Sequence, residues 1–236
     1  MLKQCQEIIN SFKSLSDETI AAHSSRFFKT GKGEYGEGDL FLGIRVPVIR
    51  KQVKKFSHLN LKEITELLKS PYHEIRLFSA LMLVNKYNKA ADKEKKSICQ
   101  LYLKNLKYIN NWDIVDSSAS YIVGDYLMNK DKSQLYKLAK SKILWHRRVA
   151  IMATFQFIKH DQFEDSLKIS KLLLHDKEDL IHKATGWMLR EIGNRDIKVE
   201  EQFLKTHYHD MPRTMLRYAI EKFPEKKRKA YLNGKI

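Results

Sequence analysis

The stretch PYHEIRLFSALMLVNKY, residues 71–87, decides the fold class because its apolar side chains recur at three- and four-residue spacings. That spacing is typical of an α-helix with one buried face. Pro71 stands where the helix would begin, a position at which its missing N–H costs no hydrogen bond. The positions that share this face are Ile75, Phe78, Leu81, Met82 and Asn85.

Helical periodicity extends outward from this stretch in both directions, and strand alternation is almost absent. Residues 179–192, DLIHKATGWMLREI, place Ile181, Ala184, Met188 and Glu191 along one face. We expect further helices over 2–14, 17–29, 47–56, 61–69, 93–105, 112–128, 132–140, 145–159, 163–174, 197–206 and 212–222, and a short fraying helix in the basic tail, 225–236. The sequence therefore predicts an all-α protein.

A weak internal repeat orders these helices. Arg76, Asp113, Arg148 and Lys183 follow one another at steps of roughly 35 residues, each near the start of a helix, and a last copy begins at Pro212. A period of roughly 30–45 residues with two helices per repeat is typical of an α-solenoid, whose concave side offers a groove. A generic helix bundle is the alternative. We expect one domain over residues 1–236.

The clearest break in the helical pattern is TGKGEYGEGD, residues 30–39, which we expect to be a flexible loop because glycine tolerates positive φ. Gly31, Gly33 and Gly36 match the spacing G-x-G-x-x-G. The dinucleotide-binding fingerprint requires a strand before that motif, and here a helix is predicted. The match therefore does not predict nucleotide binding.

Charge points to a polyanionic partner, since 44 Lys and Arg against 28 Asp and Glu give 236 residues a formal net charge of +16. Nucleic acid is the first candidate and an anionic membrane the second. No apolar run reaches the roughly 18 residues of a membrane helix, and the N-terminus does not resemble a signal peptide. Cys5 and Cys99 are expected to be reduced thiols. We expect a cytoplasmic protein associated with the nucleoid.

Three tryptophan-containing clusters are candidates for chemistry or nucleic-acid contact. In Trp112-Asp113-Ile114-Val115-Asp116 the two acids share a helical face, and Asn111 or Asp113 also fits an N-cap. In Trp145-His146-Arg147-Arg148, two arginines at a helix start require a carboxylate or an external phosphate, or else are solvated. Trp187 lies near Lys183 and Arg190, an arrangement that suits base stacking and phosphate contact, although buried core is the usual role of tryptophan.

The sequence gives little support for a metal site or for a catalytic nucleophile. His207 and His209 supply two ligands, fewer than a zinc site needs, and no other ligand has diagnostic spacing. No nucleophile elbow is present. We expect neither a metal nor a cofactor.

At these clusters the chain resembles the AlkD-type DNA alkylation repair glycosylases, a family of HEAT-like repeat proteins. The resemblance runs through FLGIRVPVIR (41–50), NWDIVDSSASYIVGDYL (111–127), LWHRRVAI (144–151), KATGWMLREIGNRD (183–196) and MPRTMLRYAIEKF (211–223). It implies a right-handed α-solenoid of HEAT-like helix pairs whose basic concave face holds double-stranded DNA. It also implies base excision repair by hydrolysis of the N-glycosidic bond of N3- and N7-alkylated purines.

The resemblance also implies residue roles. Asp116 would be the catalytic carboxylate, flanked by Trp112 and Trp187 against the deoxyribose, and Arg148 would hold the phosphate backbone. The DNA-binding residues expected with these are Arg45, Arg50, Arg147, Arg148, Lys183 and Arg190. We expect a monomer.

Two departures from the family pattern concern the same region. An example of the family has two consecutive tryptophans here, whereas Asn111 precedes Trp112 in this chain. The glycine-rich loop looks like an insertion, and it affects the contacts near the lesion expected from Phe27, Phe28 or Tyr35. A non-catalytic nucleic-acid-binding module and a protein adaptor are the alternative functions.

Overall fold

The structure, a computed structural model, describes residues 3–236, all of whose regular elements are helical. Leu2, the first residue of the helix predicted over 2–14, lies outside the described residues. The chain divides into two compact units, the first ending at Ser118 and the second beginning at Ala119. The all-α fold class is confirmed, and the single domain stays a prediction.

The first unit is built around α5, His73–Lys89, whose residues from His73 to Leu83 are buried throughout. Its other helices are α1 (Lys3–Lys13), α2 (Glu18–Phe27), α3 (Val46–Lys55), α4 (Leu61–Leu68), α6 (Asp92–Lys104) and α7 (Trp112–Asp116), with a 3-10 turn at Leu106–Tyr108. α3, α4, α6 and α7 pack against α5. A capping box of Asn60 and Glu63 starts α4.

The second unit is a succession of helices from Ser120 to Leu232. Its elements are a π-helical segment (Ser120–Gly124), α8 (Asp125–Leu127), α9 (Ser133–Ala139), α10 (Leu144–Ile158), α11 (Glu164–Leu172), α12 (Asp179–Gly193), α13 (Ile197–His207), α14 (Arg213–Ala219), a 3-10 turn (Ile220–Lys222) and α15 (Glu225–Leu232). α9 packs on α10, α10 on α12 and α12 on α14. The helix expected in the basic tail is present as α15.

The helix predicted over 112–128 is interrupted. α7 ends at Asp116, and the π-helical segment begins four residues later. The hydroxyls of Ser117 and Ser118 both donate to the carbonyl of Ile114, at 3.2 and 2.6 Å. Such bonds compete with the regular helical ladder, and they leave Asp116 as the last residue of a short helix.

The loop over residues 30–39 is a set of hydrogen-bonded turns. Gly31 N–H donates to Glu34 and Gly33 N–H to Glu37, each at 2.8 Å. After the loop, an isolated parallel bridge joins Leu40 to Tyr72. The bridge brings the end of the loop to the start of α5.

Candidate active site and nucleic-acid contacts

The candidate site in the first unit is organised by α7. Asn111 caps this helix, its side-chain oxygen accepting from Trp112 N–H at 2.8 Å. Asn111 is fully buried, so it acts as a capping group and makes no surface contact. Trp112 and Asp116 are both half-buried, at the two ends of the helix.

Aromatic rings form a continuous stack that ends on Trp112. The ring of Phe28 lies 5.3 Å from Trp112 at an interplanar angle of 25° and 5.2 Å from Phe41 at 16°. His73 lies 4.7 Å from Phe41 and 4.9 Å from Phe28. Phe27, 56% exposed, meets Trp112 edge-on at 6.1 Å. Offset stacked and edge-to-face pairs are the geometries that aromatic rings prefer.

A buried ion network lies beside this stack. Asp39 accepts from the Arg76 guanidinium at 2.6 Å and from His73 Nδ1 at 3.3 Å, while His73 Nε2 donates to Asp113 at 2.8 Å. Asn111 donates to Asp39 at 3.3 Å, so the helix cap joins the network. The side chains of Asp39, His73 and Arg76 are at most 5% exposed.

These contacts shift two pKa values. Burial acts to lower the pKa of His73, but the Asp113 and Asp39 carboxylates outweigh it and raise that pKa to about 9. Burial acts to raise the pKa of Asp39, yet its bonds to His73 and Arg76 hold it below the ordinary value. The network at neutral pH therefore contains an imidazolium between two carboxylates.

Asp116 stands near the buried phenol of Tyr102. Burial raises the pKa of Tyr102, and the negative charge of Asp116 raises it further, against the effect of the hydrogen bond between Tyr102 and Ser118. Tyr102 thus stays protonated beside the carboxylate at neutral pH. Its hydroxyl lies 2.9 Å from the Ser118 oxygen, two residues beyond Asp116.

A cavity of about 800 Å³ opens in the first unit between α2, α3 and α5. Phe28, Phe41 and His73 line one part of it, and Asp113 and Arg45 reach it as well. Arg45 is exposed at the start of α3, as is Arg50 one turn later. Two of the expected DNA-binding arginines are therefore on the solvent surface of this unit.

In the second unit, Trp187 is half-buried on α12. Its ring lies 5.9 Å from Phe155, and its indole N–H donates to Glu191 at 2.8 Å. Lys159 places its ammonium 4.4 Å from the ring of Phe155 and 5.1 Å from that of Tyr121. This cation–π pair with an exposed tyrosine is a surface feature that the sequence analysis missed. The four-residue spacing of Phe155, on α10, and Lys159, the residue that caps α10, is the signal that could have indicated it.

The second unit uses two of the expected DNA-binding arginines internally. Arg147 forms a two-bond ion pair with Asp176, its Nε donating at 2.5 Å, and also donates to the carbonyls of Ser141 and Lys142. Arg190 pairs with Glu221. The guanidinium groups of Arg147 and Arg190 bind carboxylates of the protein, so a contact of either with DNA would have to compete with those ion pairs.

Arg148 and Lys183 have different surroundings. Arg148 is 5% exposed and donates to the carbonyl of Leu180. Lys183 pairs with Asp179 at 2.7 Å, one helical turn away, and its side chain is 40% exposed. An exposed pair of this kind contributes little to stability, so a phosphate can compete for Lys183.

The described part of the chain, from residue 3 onward, contains no group of three or more His, Cys, Asp and Glu arranged to hold a metal ion. Within the same range, no helix has both the length and the apolar character needed to cross a bilayer. Cys5 and Cys99 are buried and unbridged. The ring of His207 lies 4.7 Å from that of Phe203, tilted by 57°.

The helices stack on one another as in an all-α repeat protein. The candidate site is centred on α7, which carries Trp112, Asp113 and Asp116. A family model described as DNA alkylation repair enzyme matches residues 8–223. Because that match covers most of the sequence, the chain belongs to the DNA alkylation repair enzyme family.

Two solved structures have a similar fold. One is a predicted DNA alkylation repair enzyme from Enterococcus faecalis, with a TM-score of 0.67 and 15% identity over 89% of this chain and 97% of that one. The other is AlkD2 from Streptococcus mutans, with a TM-score of 0.53 and 14% identity over 88% and 99% of the two chains. No curated protein matches the sequence.

Proposed function

We propose that this protein is a DNA glycosylase that hydrolyses the N-glycosidic bond of cationic N3- and N7-alkylated purines in duplex DNA. The observation that carries the proposal is the placement of Asp116 on one five-residue helix with Trp112, in a chain of the DNA alkylation repair family. Both side chains are partly exposed, so a substrate can reach them.

Because the alkylated base already carries a positive charge, hydrolysis of its N-glycosidic bond needs few catalytic groups. When the bond between C1′ and the base breaks, its electron pair goes to an alkylpurine that already carries positive charge, and the base leaves neutral. Positive charge then develops on the deoxyribose. A carboxylate at Asp116 stabilises that charge more in the transition state than in the ground state, which is what catalysis requires. Water adds to C1′ and loses a proton, which Asp116 can accept.

The tryptophan faces have a supporting role in this proposal. An indole attracts a developing cation by about 0.5–2 kcal/mol. Trp112 is held for this role by Phe28, and Trp187 by Phe155 and Glu191. We assign both to contact with the deoxyribose, and we assign no step to a metal or cofactor.

Positively charged side chains hold the DNA in this proposal. The candidates are Arg45 and Arg50, which are exposed, and Lys159 and Lys183, which are partly buried. Arg148 stays a proposed contact to the backbone near the lesion. Phosphate contacts of this kind position a duplex without reading its sequence. We further propose that the protein acts as a monomer on nucleoid DNA in the cytoplasm.

Release of free base from methylated DNA tests the proposal. Duplex DNA treated with a methylating agent is incubated with the protein, and 3-methyladenine and 7-methylguanine are measured by chromatography. We expect Asp116→Asn to lower the release rate by about 100-fold or more with duplex affinity nearly unchanged, since only a transition-state interaction is lost. Asp92→Asn, an exposed acid on α6, is the matched control and should keep full activity.

The alternatives give different results in the same assay. A non-catalytic nucleic-acid-binding module would bind the duplex without releasing any base, and a protein adaptor would do neither. Equal release by Asp116→Asn and the unmodified protein would remove Asp116 from the mechanism.

A further inference from the structure

We propose that Asp39, His73 and Asp113 are positioning residues that hold α7 in one position. They thereby keep the side chains of Trp112 and Asp116 in place for base release. This inference rests on the proposed function for the reaction assigned to Asp116. The contacts that carry it lie wholly within the first unit, and no sequence motif predicted Asp39 or His73 as a site residue.

The first observation is that both ends of the network are attached to α7. Asp113 lies in the first turn of the helix and accepts from His73 Nε2 at 2.8 Å. Asn111, the helix cap, donates to Asp39 at 3.3 Å. Two bonds from separate partners therefore fix the N-terminal end of a helix that has only five residues and little stability of its own.

The second observation is that the His73 ring also packs against the aromatic rings next to Trp112. Its ring contacts both Phe41, at 4.7 Å, and Phe28, at 4.9 Å, and Phe28 in turn lies parallel to Trp112. A displacement of the imidazole would leave Phe28 without one neighbour. The position of the Trp112 indole thus depends on His73 through packing as well as through the Asp113 bond.

The third observation gives a role to the glycine-rich loop. The turns of residues 30–39 end at Asp39, whose carboxylate is 5% exposed. Asp39 also accepts from Arg76 at 2.6 Å, so this carboxylate is held by a second cation in addition to His73. The loop therefore places the buried carboxylate of Asp39 next to Asn111, the N-terminal cap of α7.

The charge of His73 depends on every group that faces it. Asp39 and Asp113 favour the imidazolium, and Arg76 opposes it. The Glu74 carboxylate next to it accepts from the backbone N–H groups of Leu42, Gly43 and Ile44. Two further groups, His23 and Arg45, line the same cavity.

The direction of the pH effect follows from the raised pKa of His73, about 9 against an ordinary 6.5. The folded state binds this proton more tightly than the unfolded state does. The stabilisation is complete below pH 6.5 and is lost as the pH rises through about 9. Above that pH the network loses its central cation, and α7 should become less well fixed.

The first experiment follows Trp112 itself and needs no catalysis. In a Trp145→Phe, Trp187→Phe background, the remaining indole reports on α7 through its fluorescence. We expect its emission to change between pH 8 and 10 with a midpoint near 9. His73→Arg, which keeps a planar cation, should abolish that midpoint. Emission that does not change with pH over this range in the His73 protein would overturn the proposal.

The second experiment measures base release under single-turnover conditions together with duplex affinity. We expect His73→Gln to lower the rate about tenfold with affinity changed less than about twofold, and His73→Arg to restore most of the rate. His23→Gln is the matched control, a histidine of the same cavity. An equal loss in His23→Gln, or a loss in affinity alone, would count against positioning.

Asp39→Asn covers the case in which His73→Gln fails to fold, because it keeps the size of the side chain while removing one of the two charges that His73 faces. Its Trp112 emission should show a midpoint below that of the unmodified network, and an unchanged midpoint would overturn the proposal. If no variant and no unmodified protein releases base, the proposed function fails, and the emission experiment still decides whether the network positions α7.

Discussion

At the scale of single residues, Glu200 is the clearest case of a side chain whose ionisation is controlled by the fold. It is 1% exposed on α13, and its Oε1 has no hydrogen-bond partner among the described residues. Burial raises its pKa to about 8, and Glu201 adds to the effect, while Arg190 and Lys227 act against it. The carboxyl group therefore keeps its proton at neutral pH.

This predicts an unusual dependence of stability on pH. Because the folded state binds the proton of Glu200 more tightly than the unfolded state, its contribution to stability falls as the pH rises from 4.5 towards about 8. Glu200→Gln keeps the shape of the side chain and removes its titration. The free energy of unfolding of the variant minus that of the unmodified protein should therefore rise by roughly 1–3 kcal/mol from pH 5 to pH 8. Urea unfolding at the two pH values measures this.

An exposed acid supplies the comparison for that measurement. Glu178→Gln, just before α12, should show the same pH trend as the unmodified protein. If Glu200→Gln follows that trend too, the carboxyl group is ionised in the folded protein and the account of its burial is wrong.

Single residues also show what the sequence could establish. The Trp112 and Asp116 pair was predicted from a local motif and stays a prediction. The helix cap was predicted at Asn111 or Asp113, and the structure places it at Asn111. The partners of charged residues were not predicted, since Arg147 pairs with Asp176 and Arg76 with Asp39, at separations of 29 and 37 residues. The local sequence around Arg147 and Arg148 does not indicate which of the two arginines binds a carboxylate of the protein.

At the scale of elements, the contact of α12 with α14 depends on a glycine. A Cβ at Gly186 would overlap the carbonyl oxygen of Met215 and lie 2.6 Å from the Cβ of Tyr218. The two helix backbones therefore approach closely at this point.

We predict that Gly186→Ala destabilises the protein, because α12 and α14 must separate to make room for the methyl group. A loss of about 1–3 kcal/mol is typical of overpacking in a close-packed interior. Denaturant unfolding of the variant measures the loss. The neighbouring Thr185→Ala removes atoms and a hydroxyl that has no partner in the described structure, so it should cost less. A larger loss in Thr185→Ala would contradict the role given to the close approach.

Helices were predicted from periodicity with ends that agree with the structure within a few residues, as over 179–192 against Asp179–Gly193. The exception is 112–128, where apolar spacing continues through a break. Two serine hydroxyls that bond to one carbonyl, and a π-helical segment after them, do not change the hydrophobic period. The break could not be predicted from periodicity for that reason.

At the scale of the whole molecule, the excess of positive charge predicts how DNA affinity responds to salt. A protein that neutralises phosphates releases counterions, so its affinity falls linearly on logarithmic scales as salt concentration rises. We expect Lys159→Ala and Arg45→Ala each to lower the steepness of that fall by about one unit. Fluorescence anisotropy of a labelled duplex at several salt concentrations measures the slope.

Arg147→Gln is the control for this measurement, because the guanidinium of Arg147 is bonded to Asp176 and two carbonyls. Its slope should equal that of the unmodified protein once circular dichroism confirms folding. A reduced slope in Arg147→Gln, with unchanged slopes in the other two variants, would reverse the assignment of these cations.

The bond between Asn111 and Asp39 spans 72 residues of sequence and has a consequence for synthesis on the ribosome. Asp39 emerges from the exit tunnel long before Asn111 and Asp113 have been translated. Contacts between such distant segments form late and slow the folding of a domain. In the nascent first unit, Asp39 and His73 therefore lack their bonds to Asn111 and Asp113 until those two residues have also left the exit tunnel.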